Sequence, residues 1–132
     1  MQEPPPVTGL ILLAHGSRDA QWRAPMEAVC AAVRQRQPQG LCACAYLEAC
    51  EPDLPGAAAE LVALGALRLL VLPLFLGTGK HARQDIPRLV RAWSATHPQI
   101  PMRLEAAVGE NPAVIALLAD LALHASNSWA SE

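Results

Sequence analysis

LILLAHGSRD, residues 10–19, is the stretch of sequence that decides the fold. Its first half, Leu10 to Ala14, is aliphatic without a polar break, which is typical of a strand buried on both faces in a parallel sheet. An imidazole, a hydroxyl, a guanidinium and a carboxylate follow at once, on His15, Ser17, Arg18 and Asp19. Ligands bind at the carboxyl edge of open α/β sheets. The stretch therefore predicts a buried strand followed by half of a binding site.

The rest of the chain repeats this alternation of strands and helices. Apolar runs predict further strands at 41–47, 67–72 and 102–108, and a helix follows each strand. Asp19, Asp85 and Asn111 are predicted to cap three of these helices. The order βαβαβαβα predicts an α/β fold with a single doubly wound, four-stranded parallel sheet flanked by helices, in the flavodoxin-like strand order 2-1-3-4. We expect this domain at residues 9–125, between a flexible N-terminal tail (1–8) and a C-terminal tail (126–132).

Composition limits the classes of function. A net charge of −2, no basic run and only one Phe and one Tyr argue against a nucleic-acid partner. The longest apolar stretch, 69–76, is too short to span a membrane, and the N-terminus lacks a secretion signal. We therefore expect a cytoplasmic protein without a membrane partner. The four cysteines include no C-x-x-C pair, which favours buried, reduced thiols over a zinc ribbon or a disulfide framework.

Polar residues follow three strands that are neighbours in this order. His15 follows the first strand, Glu48 the second, and Lys80 and His81 lie in the loop after the third. Two imidazoles and a carboxylate suit a divalent ion such as Co²⁺, Ni²⁺, Fe²⁺ or Zn²⁺. Taken singly, each histidine could equally bond a nearby carbonyl, and Glu48 could be a first-turn acid of the next helix. Their convergence on one crevice favours a metal site with open coordination positions, which is suited to transferring its ion to another molecule.

Three motifs resemble a known family. LLAHGSRDAQW (12–22), YLEACEPDLP (46–55) and VLPLFLGTGKHARQDIP (71–87) are together similar to the short, CbiX-like sirohydrochlorin cobaltochelatases, which are class II tetrapyrrole chelatases. The resemblance covers residues 10–108 and implies a chelatase-like half domain that inserts Co²⁺, or alternatively Ni²⁺ or Fe²⁺, into sirohydrochlorin during cobalamin biosynthesis. It implies that His15 and His81 bind the incoming metal, and Glu48 is the matching candidate for the glutamate that assists. It also implies a homodimer with the cleft between subunits, and no organic cofactor.

The chemistry of insertion fits these residues. Two pyrrole protons must leave while a partly dehydrated ion approaches the ring, and Glu48 or a metal-free histidine could accept one of them. Sirohydrochlorin carries eight carboxylates, so its cleft needs local positive charge. We expect Ser17, Arg18, Lys80 and Arg83, which flank the two histidines, to contact this substrate.

Two other functions fit parts of the pattern. A phosphohistidine-type phosphatase also places a His-Gly pair after its first strand, but an arginine precedes that histidine, and here the position is Ala14. A non-catalytic metal or tetrapyrrole carrier would need the same ligands as a chelatase. Catalytic turnover separates a carrier from an enzyme.

Overall fold

The computed structural model describes residues 7–130, which form a four-stranded sheet with strand order β2-β1-β3-β4. All three strand pairs are parallel, so the predicted fold class and strand order are confirmed. The predicted tail residues 1–6 and 131–132 lie outside the described residues. The elements in chain order are β1 (Thr8–Ala14), α1 (Ala20–Arg36), β2 (Leu41–Tyr46), α2 (Leu54–Ala63), β3 (Arg68–Pro73), α3 (Lys80–Thr96), β4 (Met102–Leu104), a 3₁₀ turn (Val108–Glu110) and α4 (Pro112–Ala130).

The start of α3 differs from the prediction. The helix begins at Lys80 after Gly79, whose extended backbone (φ −65°, ψ 159°) turns the chain into the first turn. Asp85 was expected to cap this helix but lies inside it, where its carboxylate pairs with Arg88 at 3.2 Å. An Asp-x-Pro pattern is typical of a helix start, but here Pro87 lies inside α3. Because proline has no backbone N–H, the helix lacks one hydrogen bond at this position. The predicted loop after β3 is therefore shorter, and His81 lies on a helix rather than in a loop.

Several other strand and helix ends also differ from the prediction. Thr8, predicted to belong to the tail, is the first residue of β1 and pairs with Arg68. Strand β4 was expected to reach residue 108 but ends at Leu104, and the chain then leaves the sheet for the 3₁₀ turn. Helix α4 begins as predicted, with the Asn111 side chain accepting from Ala113 N at 2.9 Å. It continues past the predicted end at residue 125 to residue 130, because no Gly or Pro interrupts it.

The two faces of the sheet are covered unequally. Helices α2 and α3 pack on one face, over a core that includes Ile11, Leu13 and Val71. On the other face, α1 packs over β1 and β2 through Leu12 and Cys42. A helix about 10 Å wide covers about two strands spaced 4.8 Å apart, so four strands need two helices on each face. One helix position over β3 and β4 is thus open in the described chain.

Helix α4 does not fill that position. The sequence predicted a last helix flanking the sheet, but none of its residues is buried, and its main contact is with the 3₁₀ turn. Residues 70, 72 and 74, all leucines on the open half of the face, are only half-buried. By length and composition alone, α4 could also cross a membrane, since an 18-residue window has a mean hydropathy of 1.2. The chain therefore has one uncovered half of a sheet face and an uncovered apolar helix.

Candidate metal-handling site at the carboxyl edge of the sheet

His15 and Glu48 form an ion pair or hydrogen bond at the carboxyl edge of the sheet. His15 directly follows β1 and Glu48 lies two residues after β2, so the adjacent parallel strands bring them to one edge. His15 Nε2 lies 3.0 Å from Glu48 Oε1. The side chains are 58% and 65% exposed, so the pair faces an open crevice. The structure thus brings together two of the three predicted donor groups.

Main-chain bonds fix the distance between the two segments. The carbonyl of His15 accepts hydrogen bonds from the backbone N–H groups of Leu47, at 3.1 Å, and Glu48, at 3.0 Å. Gly16 has a φ of +110°, and a Cβ at this position would lie 1.8 Å from the Glu48 carbonyl oxygen. Glycine is required here both for its positive φ and for this close approach. The glycine of the HGS motif therefore allows the segments carrying His15 and Glu48 to lie side by side.

His81 is the second residue of α3, on the same edge of the sheet as the pair. Lys80 and Arg83 lie on the first turn with it, so the start of α3 carries two positive charges beside an imidazole. Within residues 7–130, no three His, Cys, Asp or Glu side chains lie close enough together to hold a metal ion. The structure therefore does not bring His81 into a three-ligand cluster with His15 and Glu48, and its role as a metal ligand stays a prediction.

Ser17 organises the loop between β1 and α1. Its hydroxyl oxygen accepts a hydrogen bond from Asp19 N at 3.0 Å, and its carbonyl accepts one from Arg23 Nη1 at 2.8 Å. Asp19 caps α1 as predicted, accepting from Gln21 N at 2.9 Å. Arg18 is exposed. The substrate contacts predicted for Ser17 and Arg18 stay predictions, and the contacts observed for Ser17 are local ones.

A cavity of about 370 Å³ opens at the carboxyl ends of β3 and β4, beside the start of α3. Its polar lining includes Thr78, Arg83, Glu105 and Glu110, and Leu76 and Ile86 contribute apolar surface. The cavity is thus a partly apolar recess with an arginine in its wall, on the same edge of the sheet as the His15–Glu48 pair but lined by other residues.

Sequence reasoning missed Phe75 as a neighbour of the site. Its ring forms a T-shaped pair with the His15 imidazole, with the centroids 6.4 Å apart and an interplanar angle of 77°. Gly109 donates from its backbone N–H to the Phe75 carbonyl at 2.9 Å. A signal was present in the sequence, because Phe75 is the only phenylalanine of the chain and lies in the third motif.

Cys30, Cys42 and Cys44 lie on α1 and β2, whereas Cys50 follows Glu48 by two residues and donates from its backbone N–H to the Glu48 carbonyl at 2.8 Å. All four are free, and the Sγ atoms of Cys30 and Cys42 lie 3.4 Å apart beneath α1. Burial, reinforced by the hydrogen bond to Cys30, raises the pKa of the Cys42 thiol to about 12. Burial likewise raises the pKa of Cys44 to about 11 and that of Tyr46 to about 12. These groups stay protonated at neutral pH, which makes the thiols poor nucleophiles and poor metal ligands.

The family model described as CbiX matches residues 9–125. Among curated proteins, the chain is similar to the sirohydrochlorin cobaltochelatase of Methanocaldococcus jannaschii, with 33% identity over 61% of this chain and 57% of that protein. It is also similar to that of Saccharolobus solfataricus, with 35% identity over 62% of each chain. The aligned part thus spans only about three fifths of these relatives.

Solved structures show the same architecture. A protein from Marinobacter aquaeolei VT8, described as a cobalamin (vitamin B12) biosynthesis CbiX protein, superposes with a TM-score of 0.80 at 30% identity, covering 92% of this chain and 98% of that one. SirB from Bacillus subtilis with Fe³⁺ superposes with a TM-score of 0.70 at 23% identity, over 83% of this chain and 44% of that one. The second likeness supports the fold alone.

Proposed function

The chain belongs to the CbiX family, and we propose that it inserts a divalent metal ion into sirohydrochlorin. Co²⁺ is the ion proposed first, because the curated relatives are cobaltochelatases. Ni²⁺ and Fe²⁺ are the alternatives, since imidazole and carboxylate ligands discriminate weakly among these ions. The metal is a substrate in this reaction, and we propose no organic cofactor. Cobalamin biosynthesis in the cytoplasm is the proposed setting.

The observation that carries the proposal is the His15–Glu48 pair. Its two donor atoms are 3.0 Å apart. Two ligands of one ion, each bonded at about 2.0–2.1 Å, lie about 2.9–3.3 Å apart for coordination angles between octahedral and tetrahedral. The same spacing therefore suits a shared proton before the metal arrives and a shared metal afterwards. An exposed pair of this kind would capture a hydrated ion without a rearrangement of the backbone.

Other residues on the same edge would complete the reaction. We propose His81 as a second imidazole ligand that takes part when the ion lies between α3 and the pair. Once the ion passes to the ring nitrogens, Glu48 and His15 are released from it, and each can accept a pyrrole proton. Arg18, Lys80 and Arg83 would hold the carboxylates of sirohydrochlorin, with Ser17 as a further contact.

The test measures the visible spectrum of anaerobic sirohydrochlorin with excess Co²⁺. We expect multiple-turnover insertion by the wild-type protein, and a fall toward the spontaneous rate in His15→Ala and His81→Ala. Glu48→Gln preserves the shape of the side chain but removes its charge and basicity, so we expect an intermediate loss. His97→Gln is the matched control, because His97 ends α3 at the opposite edge of the sheet. Insertion no faster than the protein-free rate with Co²⁺, Ni²⁺ and Fe²⁺ would overturn the proposal.

The carrier alternative predicts a different stoichiometry. A carrier would yield no more metalated product than its own concentration, whereas an enzyme exceeds it. Phosphate monoester hydrolysis tests the phosphatase alternative, for which we expect no activity above the buffer rate.

We further propose that the working unit is a homodimer in which α4 of each copy covers the open half of the other copy's sheet. The chain exposes 9104 Å², against about 6,700 Å² expected for a compact monomer of its mass. The eight terminal residues outside the described range would account for at most about 1,300 Å² of this excess. About 1,100 Å² then remains, and a stable interface buries about 800 Å² per partner.

The side chains of α4 favour a protein partner over lipid. Asp120, His124 and Asn127 recur at i, i+4 and i+7, so they share one face, while Ile115 and Leu118 lie on the opposite face. A helix with one polar and one apolar face suits a sheet on one side and water on the other. Binding of the protein to neutral lipid vesicles instead of self-association would contradict the exchange and indicate a membrane role for α4.

A further inference from the structure

The imidazole of His15 has two neighbours with different chemistry. Glu48 lies 3.0 Å from its Nε2 atom, and the Phe75 ring lies nearly perpendicular to it, with the ring centroids 6.4 Å apart. Because the His15 side chain is more than half exposed, few other contacts restrict rotation about its Cβ–Cγ bond. The orientation of the ring therefore depends mainly on these two residues.

Backbone hydrogen bonds to β1 and to the 3₁₀ turn fix the segment that carries Phe75. The backbone N–H of Leu74 donates to the Leu13 carbonyl at 2.7 Å, which ties the Phe75 segment to β1 just before His15. From the other side, the N–H of Gly109 donates to the Phe75 carbonyl. A Cβ on Gly109 would lie 1.8 Å from the Leu76 carbonyl oxygen, so only glycine permits this approach.

We propose that Phe75 is a positioning residue for His15, and that Gly109 keeps Phe75 in place; this inference rests on the proposed function. Under that function, Glu48 exchanges its contact with His15 for a proton or a metal ion during each turnover. The aromatic contact carries no charge and survives that exchange. Phe75 thus keeps Nε2 directed at the incoming ion when the carboxylate has released it.

The size of the effect follows from the type of contact. Edge-to-face aromatic pairs contribute enough free energy to change a population ratio about 2- to 13-fold. We expect Phe75→Leu to weaken Co²⁺ binding to the protein without tetrapyrrole by a factor in this range. Phe75→Tyr keeps the ring and should bind Co²⁺ within twofold of the wild type.

A double-mutant cycle separates positioning from general damage. In a His15→Ala background, Phe75→Leu should have no further effect on Co²⁺ affinity, because there is no ring left to position. An equal loss in both backgrounds would overturn the proposal. Gly109→Ala should resemble Phe75→Leu if it folds, and the Phe75 variants decide the matter if it does not.

A second measurement needs no metal. NMR relaxation of the histidine ring in the metal-free protein should show greater mobility of His15 in Phe75→Leu. His97 is the internal control, because its ring stacks on Trp93 at 3.7 Å on the opposite edge. Unchanged His15 mobility would overturn the positioning role. If the wild-type protein does not bind Co²⁺ but Phe75 still orders its His15 ring, the result contradicts the proposed function and leaves the positioning role intact.

Discussion

Replacing Ile115 and Leu118 with glutamate should separate the proposed dimer into folded monomers. Both residues lie on the apolar face of α4, where 56% and 41% of their surfaces are exposed. Glutamate is a good helix former, and no residue of α4 is buried in its own chain, so the substitutions should leave the monomer intact.

The magnitude follows from the surface still to be buried. Complete burial of an aliphatic side chain contributes about 1.5–3 kcal/mol, and about half of each residue remains exposed. Each loss is then about 1 kcal/mol, and both residues occur in both copies. The dimer should weaken by about 4 kcal/mol, which is nearly a thousandfold in the dissociation constant. Burying carboxylates adds to this loss.

Sedimentation velocity between 0.1 and 100 μM tests this prediction. The matched control is the double variant Leu64→Glu with Leu67→Glu, because these residues are similarly exposed but lie near the opposite end of the sheet. We expect a dimeric wild type, a dimeric control and a monomeric α4 variant, all with the same far-ultraviolet circular dichroism. A monomeric wild type at 100 μM, or equal dimerisation of the α4 variant, would refute the reasoning.

Three further predictions concern stability. Gly16→Ala should destabilise the fold by more than about 1 kcal/mol in urea titrations, because it places a Cβ against the Glu48 carbonyl at positive φ. The control is Gly77→Ala, whose Cβ meets no atom within 4 Å and which should be near neutral. Equal losses of stability in the two variants would contradict this account. Asp53→Ala should cost about 1 kcal/mol through loss of the α2 cap, whose carboxylate accepts from a backbone N–H at 2.9 Å, and a change within error would argue against that cap. The raised thiol pKa of Cys42 means that the folded state holds its proton longer than the unfolded state, so stability should fall as pH rises from about 9 to about 12; Cys42→Ala should flatten this alkaline decline, and an unchanged slope would assign it to other groups.

The features predictable from the sequence are those decided by local pattern. The unbroken aliphatic run of residues 10–14 identified a buried central strand, and four such runs with intervening helices were enough for the strand order 2-1-3-4. The same order predicted that His15 and Glu48 would meet, and they do. Asp19 and Asn111 were identified as caps because their side chains act on the nearest backbone N–H groups.

The features that were missed depend on distant contacts. Asp85 and Pro87 resemble a helix start, but α3 begins at Lys80, after Gly79 and without a side-chain cap that the sequence could reveal. The contact of Phe75 with His15 joins residues 60 positions apart, so the place of Phe75 in the third motif marked the residue but not its partner. The apolar face of α4 indicates that the helix must be covered, but the pattern is the same whether the cover is its own sheet, another copy or lipid.

The open helix position over β3 and β4 has a consequence for how the protein responds to its own abundance. Under the proposed exchange, each chain is a ligand for the native state of the other, so mass action links thermal stability to concentration. Dilution would lower the melting temperature and expose the open half of each sheet and the apolar face of α4 to water. The amount of protein in the cell would then set the fraction of chains whose open half of the sheet is covered.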